Sequence, residues 1–198
     1  MMLNPILVFI SMGTWGILHS WLAALSTKRL ARRIFGKAID RYYRLIFVGI
    51  AVLTLIPILA MVAFLPSRVL WVIPSPWRTL TLAIQFMALA GILVTVFQTD
   101  LMAFAGIKQL SDPLVEEKNA LIVAGAYRIV RHPMYFFSIL FFWLFPYVTD
   151  LVLAFITAST LYFLIGTIPE EQKLVEIYGE DYKRYQEKVP RIIPGVKY

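Results

Sequence analysis

Apolar and polar positions along this chain fall into long blocks rather than the short periods of a soluble domain. Five apolar blocks stand out, at about 3–24, 45–65, 80–96, 133–147 and 151–167. Roughly 20 consecutive apolar residues carry a helix across a bilayer, so the pattern predicts about five transmembrane helices. The last two blocks meet at Val148-Thr149-Asp150, which predicts a tight helical hairpin. The predicted fold class is all-α, a polytopic membrane helical bundle.

The pattern changes near Thr99. From 99 to 132 charges mix with apolar clusters, too polar to span and too apolar for a disordered segment. This predicts a connecting segment lying against the bundle. Gly125, between two apolar clusters, predicts a turn or a close backbone approach. Pro133 predicts a helix start, because it lacks an N–H and its φ is already helical. His132 then sits at the cap and Tyr135 in the first turn, where free backbone N–H groups favour an anion. In the tail, Leu174, Ile177, Tyr178, Tyr182, Tyr185 and Val189 share one helical stripe. They predict an amphipathic helix bounded by Pro169 and Pro190, bent or broken at Gly179, and laid over the mouth of the bundle. The closing Arg191–Val196 run would dip towards lipid or cover the site. The chain thus reads as one membrane domain, 1–198: three spans in 1–98, a connection in 99–132, a hairpin in 133–168, and a tail helix and lid in 169–198.

Charge orients this bundle. The first connection carries Lys28, Arg29, Arg32, Arg33, Lys37, Arg41 and Arg44 against the single acid Asp40. Basic loops stay on the cytoplasmic side. The N-terminus is then outside, and the connecting segment and tail are cytoplasmic, as expected in a prokaryotic plasma membrane. No Lys or Arg precedes the first block, which argues against a signal peptide. Trp71, Trp77, Trp143 and Tyr147 read as interfacial anchors. Composition agrees: 60% of residues are hydrophobic and 16% charged, against roughly 25% charged in soluble domains. The net charge of +7 comes largely from the first connection. Beside a span and without stacking aromatics, it suits anionic lipid headgroups rather than nucleic acid.

Cysteine is absent and His19 and His132 are the only histidines. Disulfides, thiolate metal sites, a Cys nucleophile and a multi-histidine metal site are excluded. What remains is a cation, an imidazole, a phenol and two carboxylates at one membrane face: Arg131, His132, Tyr135, Glu170 and Glu171. Charge there is costly unless it is paired, hydrated or used. Arg131 and His132 alone would be read as side chains snorkelling to phosphates, and Glu170-Glu171 as a solvated first helical turn.

Three strings change that reading: L-I-V-A-G-A-Y-R-I-V-R-H-P-M-Y from Leu121, E-E-Q-K-L-V-E-I-Y-G-E-D-Y-K-R-Y from Glu170, and V-P-R-I-I-P from Val189. In this order, flanking a membrane hairpin, they resemble the integral-membrane methyltransferases related to isoprenylcysteine carboxyl methyltransferase and phospholipid methyltransferase. His19-Ser20, Arg41-Tyr42-Tyr43-Arg44-Leu45 and the stretch from Asp100 to Gln109 resemble a narrower bacterial branch, the NnrU and methanethiol S-methyltransferase type. The resemblance implies S-adenosylmethionine as cofactor, in a pocket between the C-terminal spans and the cytoplasmic tail. It implies that Gly125 and Tyr127 line the approach, that Arg131, His132 and Tyr135 contact the cofactor, and that Glu170 and Glu171 hold its polar groups. A small or lipophilic acceptor would reach the methyl group from the bilayer. Two positions depart from the pattern. Gly166 stands where many carboxyl methyltransferases of this type have arginine, one turn before the Glu pair, which argues against a prenylcysteine carboxylate; the expected acceptor is a thiol or another nucleophile unlike that carboxylate. Phe137 stands where some relatives have glycine and would narrow the cofactor space.

Methyl transfer from a sulfonium needs alignment and exclusion of water rather than a nucleophilic side chain. His19 is a candidate general base, its ordinary alternative being a bond to a backbone carbonyl. Asp100 is the second candidate catalytic residue; it and Gln109 would face the site from the third-span exit, the alternative being an exposed loop. Arg41 and Arg44 read as topogenic or lipid-binding. Two rivals stand beside this reading: an NADPH-dependent membrane reductase of the sterol-reductase type, with Lys173, Lys183 and Arg184 near the Glu pair, and a non-catalytic membrane component on the same fold. The oligomeric state is not encoded in any pattern found.

Overall fold

The structure is a computed structural model and describes residues 3–112 and 120–196. The part of the connecting segment at 113–119 lies outside the described residues, as do 1–2 and 197–198. Ten elements carry the fold: α1 (Leu3–Ala23), α2 (Leu25–Phe35), α3 (Ile39–Phe64), β1 (Val69–Val72), α4 (Trp77–Gln98), α5 (Leu101–Phe104), α6 (Pro133–Trp143), β2 (Tyr147–Thr149), α7 (Asp150–Tyr178) and α8 (Glu180–Lys188). Short 3-10 turns occupy Lys108–Leu110 and Gly125–Arg128.

Among the described residues four helices, α1, α3, α4 and α7, are long and apolar enough to cross a bilayer. Their outward faces carry Ile10, Ile17, Leu53, Phe86 and Ile165, all more than half exposed. So continuous an apolar belt is unsuited to water, and the chain is an integral membrane protein. The fourth predicted block differs. Its helix α6 has 11 residues, about 16 Å at 1.5 Å per residue, which is half a bilayer. It stops because Pro146 follows, and a residue before proline is pushed out of the helical region. The chain then turns into β2, which pairs antiparallel with β1 in the register Val72↔Tyr147, Trp71↔Val148 and Val69↔Thr149. The predicted helical hairpin is therefore a short helix and a long one joined through a two-stranded ribbon. Thr149 caps α7 by accepting from the Val152 N–H at 3.2 Å. Trp71, Trp77, Trp143 and Tyr147 are all exposed at this end, as predicted for anchors.

The first basic connection holds a helix that the sequence pattern did not assign, α2, ended by Gly36 at φ 74°, while its Arg41 and Arg44 lie in the first turns of α3. Arg32 pairs with Asp40 at 3.2 Å and Arg29 with Glu176 at 3.0 Å. One further expectation needs correction: Pro169 does not bound the tail helix, because α7 runs through it to Tyr178. Proline forfeits one helical hydrogen bond, and the packing on both sides carries the helix past it. The bend predicted at Gly179 is real: φ there is 58° and the helix restarts as α8. Val189 and Pro190 end α8 as predicted.

Pairwise contacts fix the directions. Trp15 Nε1 donates to the Ala51 carbonyl and the Tyr43 hydroxyl to that of Leu22, so α1 and α3 are antiparallel. Gly16 abuts the Tyr162 ring and the Ala23 carbonyl accepts from Lys173 Nζ, so α1 and α7 are parallel. Gly91 leaves room for the Phe137 ring where a Cβ would lie 2.7 Å from it. Gln85 Nε2 donates to the Phe141 carbonyl at 2.9 Å, and α4 and α6 are antiparallel. One end of the bundle therefore carries the β ribbon. The other carries α2, α8, His132 and the Glu pair.

Candidate functional site

The site is built where the start of α6 meets the last turns of α7. At 29 residues, α7 is about 44 Å long, well beyond the roughly 30 Å hydrocarbon core of a bilayer. Its excess delivers Glu170 and Glu171 to the end where Pro133 opens α6. The tail returns over them: the Arg131 N–H donates to the Pro190 carbonyl at 2.8 Å and the His132 N–H to that of Arg191 at 3.0 Å. The V-P-R string is thus a strap tied to the R-H-P string.

The two carboxylates have separate jobs. Glu171 is buried, with 6% of its side chain exposed against 42% for Glu170. Arg131 grips it with two parallel bonds, Nε to Oε1 at 2.6 Å and Nη2 to Oε2 at 3.2 Å. Such fork-to-fork pairs are the strong, geometrically specific kind. His132 Nε2 lies 3.2 Å from Oε1 and Gln186 Nε2 donates to Oε2 at 2.9 Å, while Arg191 Nε is 3.5 Å from Oε2. Arg131 also donates to the Gln186 carbonyl at 3.0 Å. Glu171 and Arg131 thereby join α6, α7, α8 and the strap. Glu170 faces open space and accepts from the Tyr135 hydroxyl at 2.8 Å, with His132 Nδ1 at 3.5 Å. The His132 and Tyr135 rings stack at 5.5 Å, and Tyr135 stacks on Phe163 at 5.0 Å.

These groups border a cleft of about 250 Å³, near the lower end of the range for small-molecule sites. Its walls include Thr99, Ile122, Tyr127, Arg131, His132, Tyr135, Glu170, Leu174 and the three tail tyrosines Tyr178, Tyr182 and Tyr185. Tyr185 donates to the Tyr127 carbonyl at 2.5 Å. Tyr182 is 1% exposed, yet its hydroxyl has no hydrogen-bond partner among the described residues. A buried polar group left unpaired is costly, and this one borders the cleft. Burial, and then the nearby Glu170 charge, pushes the Tyr127 phenol up to about 12. Burial likewise raises Tyr182 and Tyr185. The phenols Tyr127, Tyr182 and Tyr185 in the cleft wall are therefore neutral, and Glu170 is the exposed carboxylate beside them.

The remaining expected residues divide. Gly125 has φ 61° and opens the turn that carries Tyr127. A Cβ there would sit 1.9 Å from Gln98 Nε2, so both the turn and the close approach are present. Phe137 packs on Gly91 of α4 and is not among the walls, so it does not narrow the cleft. Asp100 caps α5 by accepting from the Ala103 N–H at 3.2 Å and pairs with Lys108. These bonds, the Lys108 side chain foremost, hold its carboxyl below the usual range. Gln109 is buried and donates to the Ala103 carbonyl at 3.0 Å. Arg44 is not turned to lipid: it lies 5.3 Å from the Phe47 and Phe104 ring centres and donates to the Phe104 carbonyl. His19 is not a cleft wall either. It stacks on Trp15 at 4.8 Å in a separate niche between α1, α3 and α7. Among the described residues no cluster suited to a metal ion occurs. The tail tyrosines were visible in the sequence as a stripe, but the period alone did not separate walls of a cleft from packing residues.

The pattern that describes the phospholipid methyltransferase family matches residues 78–181, a span that contains both halves of this site. Among curated proteins, the chain is similar to a methanethiol S-methyltransferase of Pseudomonas deceptionensis. They share 40% identity over 109 residues, 54% of this chain and 42% of that protein. A methanethiol S-methyltransferase 1 of Bradyrhizobium diazoefficiens is 27% identical over 92% of this chain and 64% of its own. A methanethiol S-methyltransferase of Mycobacterium tuberculosis is 26% identical over 92% of this chain and 75% of its own. The chain spans about half the length of the first two Pseudomonas relatives it matches, 42% and 49%. No solved structure matches.

Proposed function

Since the chain belongs to the phospholipid methyltransferase family, we propose that it is an S-adenosylmethionine-dependent membrane methyltransferase whose acceptor is a small thiol. The observation that carries this reading is the convergence of the α6 start, Glu170 and the tail tyrosines on one cleft, with a buried Tyr182 hydroxyl lacking a partner there.

The residues present fit the cofactor's parts. Glu170, held through Oε2 by Tyr135 and His132, offers its exposed carboxylate to an ammonium or to ribose hydroxyls, which charge-assisted bonds favour. The free N–H groups of the first turn of α6 suit a carboxylate. The faces of Tyr127, Tyr178, Tyr182 and Tyr185 suit a flat base and a sulfonium, since aromatic faces attract cations. S-Adenosylmethionine, when bound, supplies an electrophilic methyl group. The chain itself positions, desolvates and closes. Arg131 and Glu171 hold the strap and α8 over the cleft, and His132 and Tyr135 hold Glu170 in place.

The thiol reading rests on the names of the relatives and on Gly166, which supplies no cation for a substrate carboxylate. The reductase alternative asks for free cations beside a dinucleotide phosphate. Among the described walls of the cleft Arg131 is the one cation, and Glu171 already holds it. The test is a transfer assay: purified protein, methyl-labelled S-adenosylmethionine and methanethiol, with labelled dimethyl sulfide collected from the headspace. Labelled product that disappears in Glu170→Gln supports the proposal. Its absence from folded protein, with NADPH oxidised by the same preparation, refutes it.

A further inference from the structure

The niche around His19 stands apart from the cleft walls, and its chemistry is unused by anything described so far. Three aromatic side chains frame the imidazole: Trp15 stacked at 4.8 Å, Phe47 tilted at 4.8 Å and Tyr162 edge-on at 5.9 Å. His19 Nδ1 is buried and has no hydrogen-bond partner among the described residues. A histidine placed only to brace the bundle would satisfy such an atom. The Phe47 ring that touches His19 also carries the Arg44 guanidinium at 5.3 Å.

The helix directions place this niche next to the cleft. Because α1 and α7 are parallel and Gly16 lies against Tyr162, His19 is level with the region of Gly166. That is about one turn, roughly 6 Å at 1.5 Å per residue, from Glu170. Tyr162, Gly166 and Glu170 follow one another at i, i+4 and i+8 on one face of α7. Gly166 has no side chain to fill the interval, and a Cβ there would meet only the Tyr162 ring, at 3.6 Å. An aromatic path of Tyr162, Phe163 and Tyr135 runs from the niche to the cleft wall at ring separations of 5.7 and 5.0 Å.

We infer that this niche is the acceptor subsite and that His19 is the base that takes the proton of a small thiol. The inference rests on the methyltransferase reading of the cleft. The S–H proton passes to His19 Nδ1, and the thiolate attacks the methyl carbon of the sulfonium donor. The new carbon–sulfur bond forms as the old one breaks, its electron pair staying on the donor sulfur, which leaves as a neutral thioether. The imidazolium then loses its proton to solvent. The aromatic frame is chemically suited to a short alkyl group, and Arg44 on α3 favours the thiolate across the Phe47 ring. Arg44 and Tyr162 are the charged or titratable groups that face His19 from the packed helices, and neither changes charge between pH 6 and 9 at ordinary values.

With His19 and His132 the only histidines, labelled imidazoles give two NMR signals, assigned with His132→Gln. Methanethiol alone is expected to shift the His19 signal, and S-adenosylmethionine alone the His132 signal. In the transfer assay His19→Gln lowers kcat/KM for methanethiol about 10²-fold at neutral pH, within the range for general bases. Its calorimetric affinity for S-adenosylmethionine stays unchanged. Its rate climbs tenfold per pH unit as the thiol ionises in solution, a dependence the parent lacks. A variant with parental rate and pH profile, or a His19 signal indifferent to methanethiol, overturns the inference while the cofactor reading stands. Failure of the parent to bind S-adenosylmethionine overturns both.

Discussion

At the residue scale, adjacent glutamates have opposite duties. Neighbours on a helix point about 100° apart, so Glu171 turns into the protein and Glu170 into the cleft. The motif identified the pair, but sequence could not supply the rotational phase of α7 that divides the roles. Removing Glu171 leaves Arg131 buried and uncompensated, a loss of about 3–5 kcal/mol for such pairs. Glu171→Ala should therefore show a much lower melting temperature in detergent, whereas Glu170→Gln should melt with the parent. Asp100 was legible as polar and near the site, but its use as a helix cap and ion-pair partner depends on the turn at φ 64°. Tyr127 adds a pH dependence. Its folded pKa of about 12 lies above the unfolded value near 10, so the fold favours the neutral phenol. That contribution is complete below about pH 10 and fades as pH rises to about 12. Thermal melts across this window should fall less steeply in Tyr127→Phe than in the parent.

At the scale of elements, the sequence announced α1, α3, α4 and most of α7, because unbroken apolar runs have no other fate in lipid. It announced the start of α6 through Pro133. It did not announce α2, whose charges masked a helical period. Nor did it announce the passage of α7 through Pro169, since a proline signals a stop unless tertiary packing overrides it. The β ribbon escaped notice because its strands are three and four residues long. Gly125 is the element-level hinge of the cleft. Gly125→Ala meets both a positive φ and the Gln98 amide. It should lower stability by about 1–2 kcal/mol and weaken cofactor binding through Tyr127, checked by melting and calorimetry on the same sample.

At the scale of the whole molecule, the β ribbon lies at one end and the cleft, α2 and α8 at the other. The positive-inside rule, applied to the basic residues of α2, predicts that the cleft end faces the cytoplasm. The chain contains no cysteine, so single substitutions report sidedness without background. Ser75→Cys should react with an impermeant maleimide on intact cells, and Glu187→Cys only after lysis; the reverse would invert the orientation. The account as a whole depends on the cleft being a sulfonium site. Isothermal titration of the purified protein in detergent with S-adenosylmethionine, and separately with NADPH, addresses that most directly. The account predicts saturable binding of S-adenosylmethionine, weakened at least tenfold in Glu170→Gln that melts like the parent, and no heat with NADPH. Heat with NADPH and none with S-adenosylmethionine would contradict it.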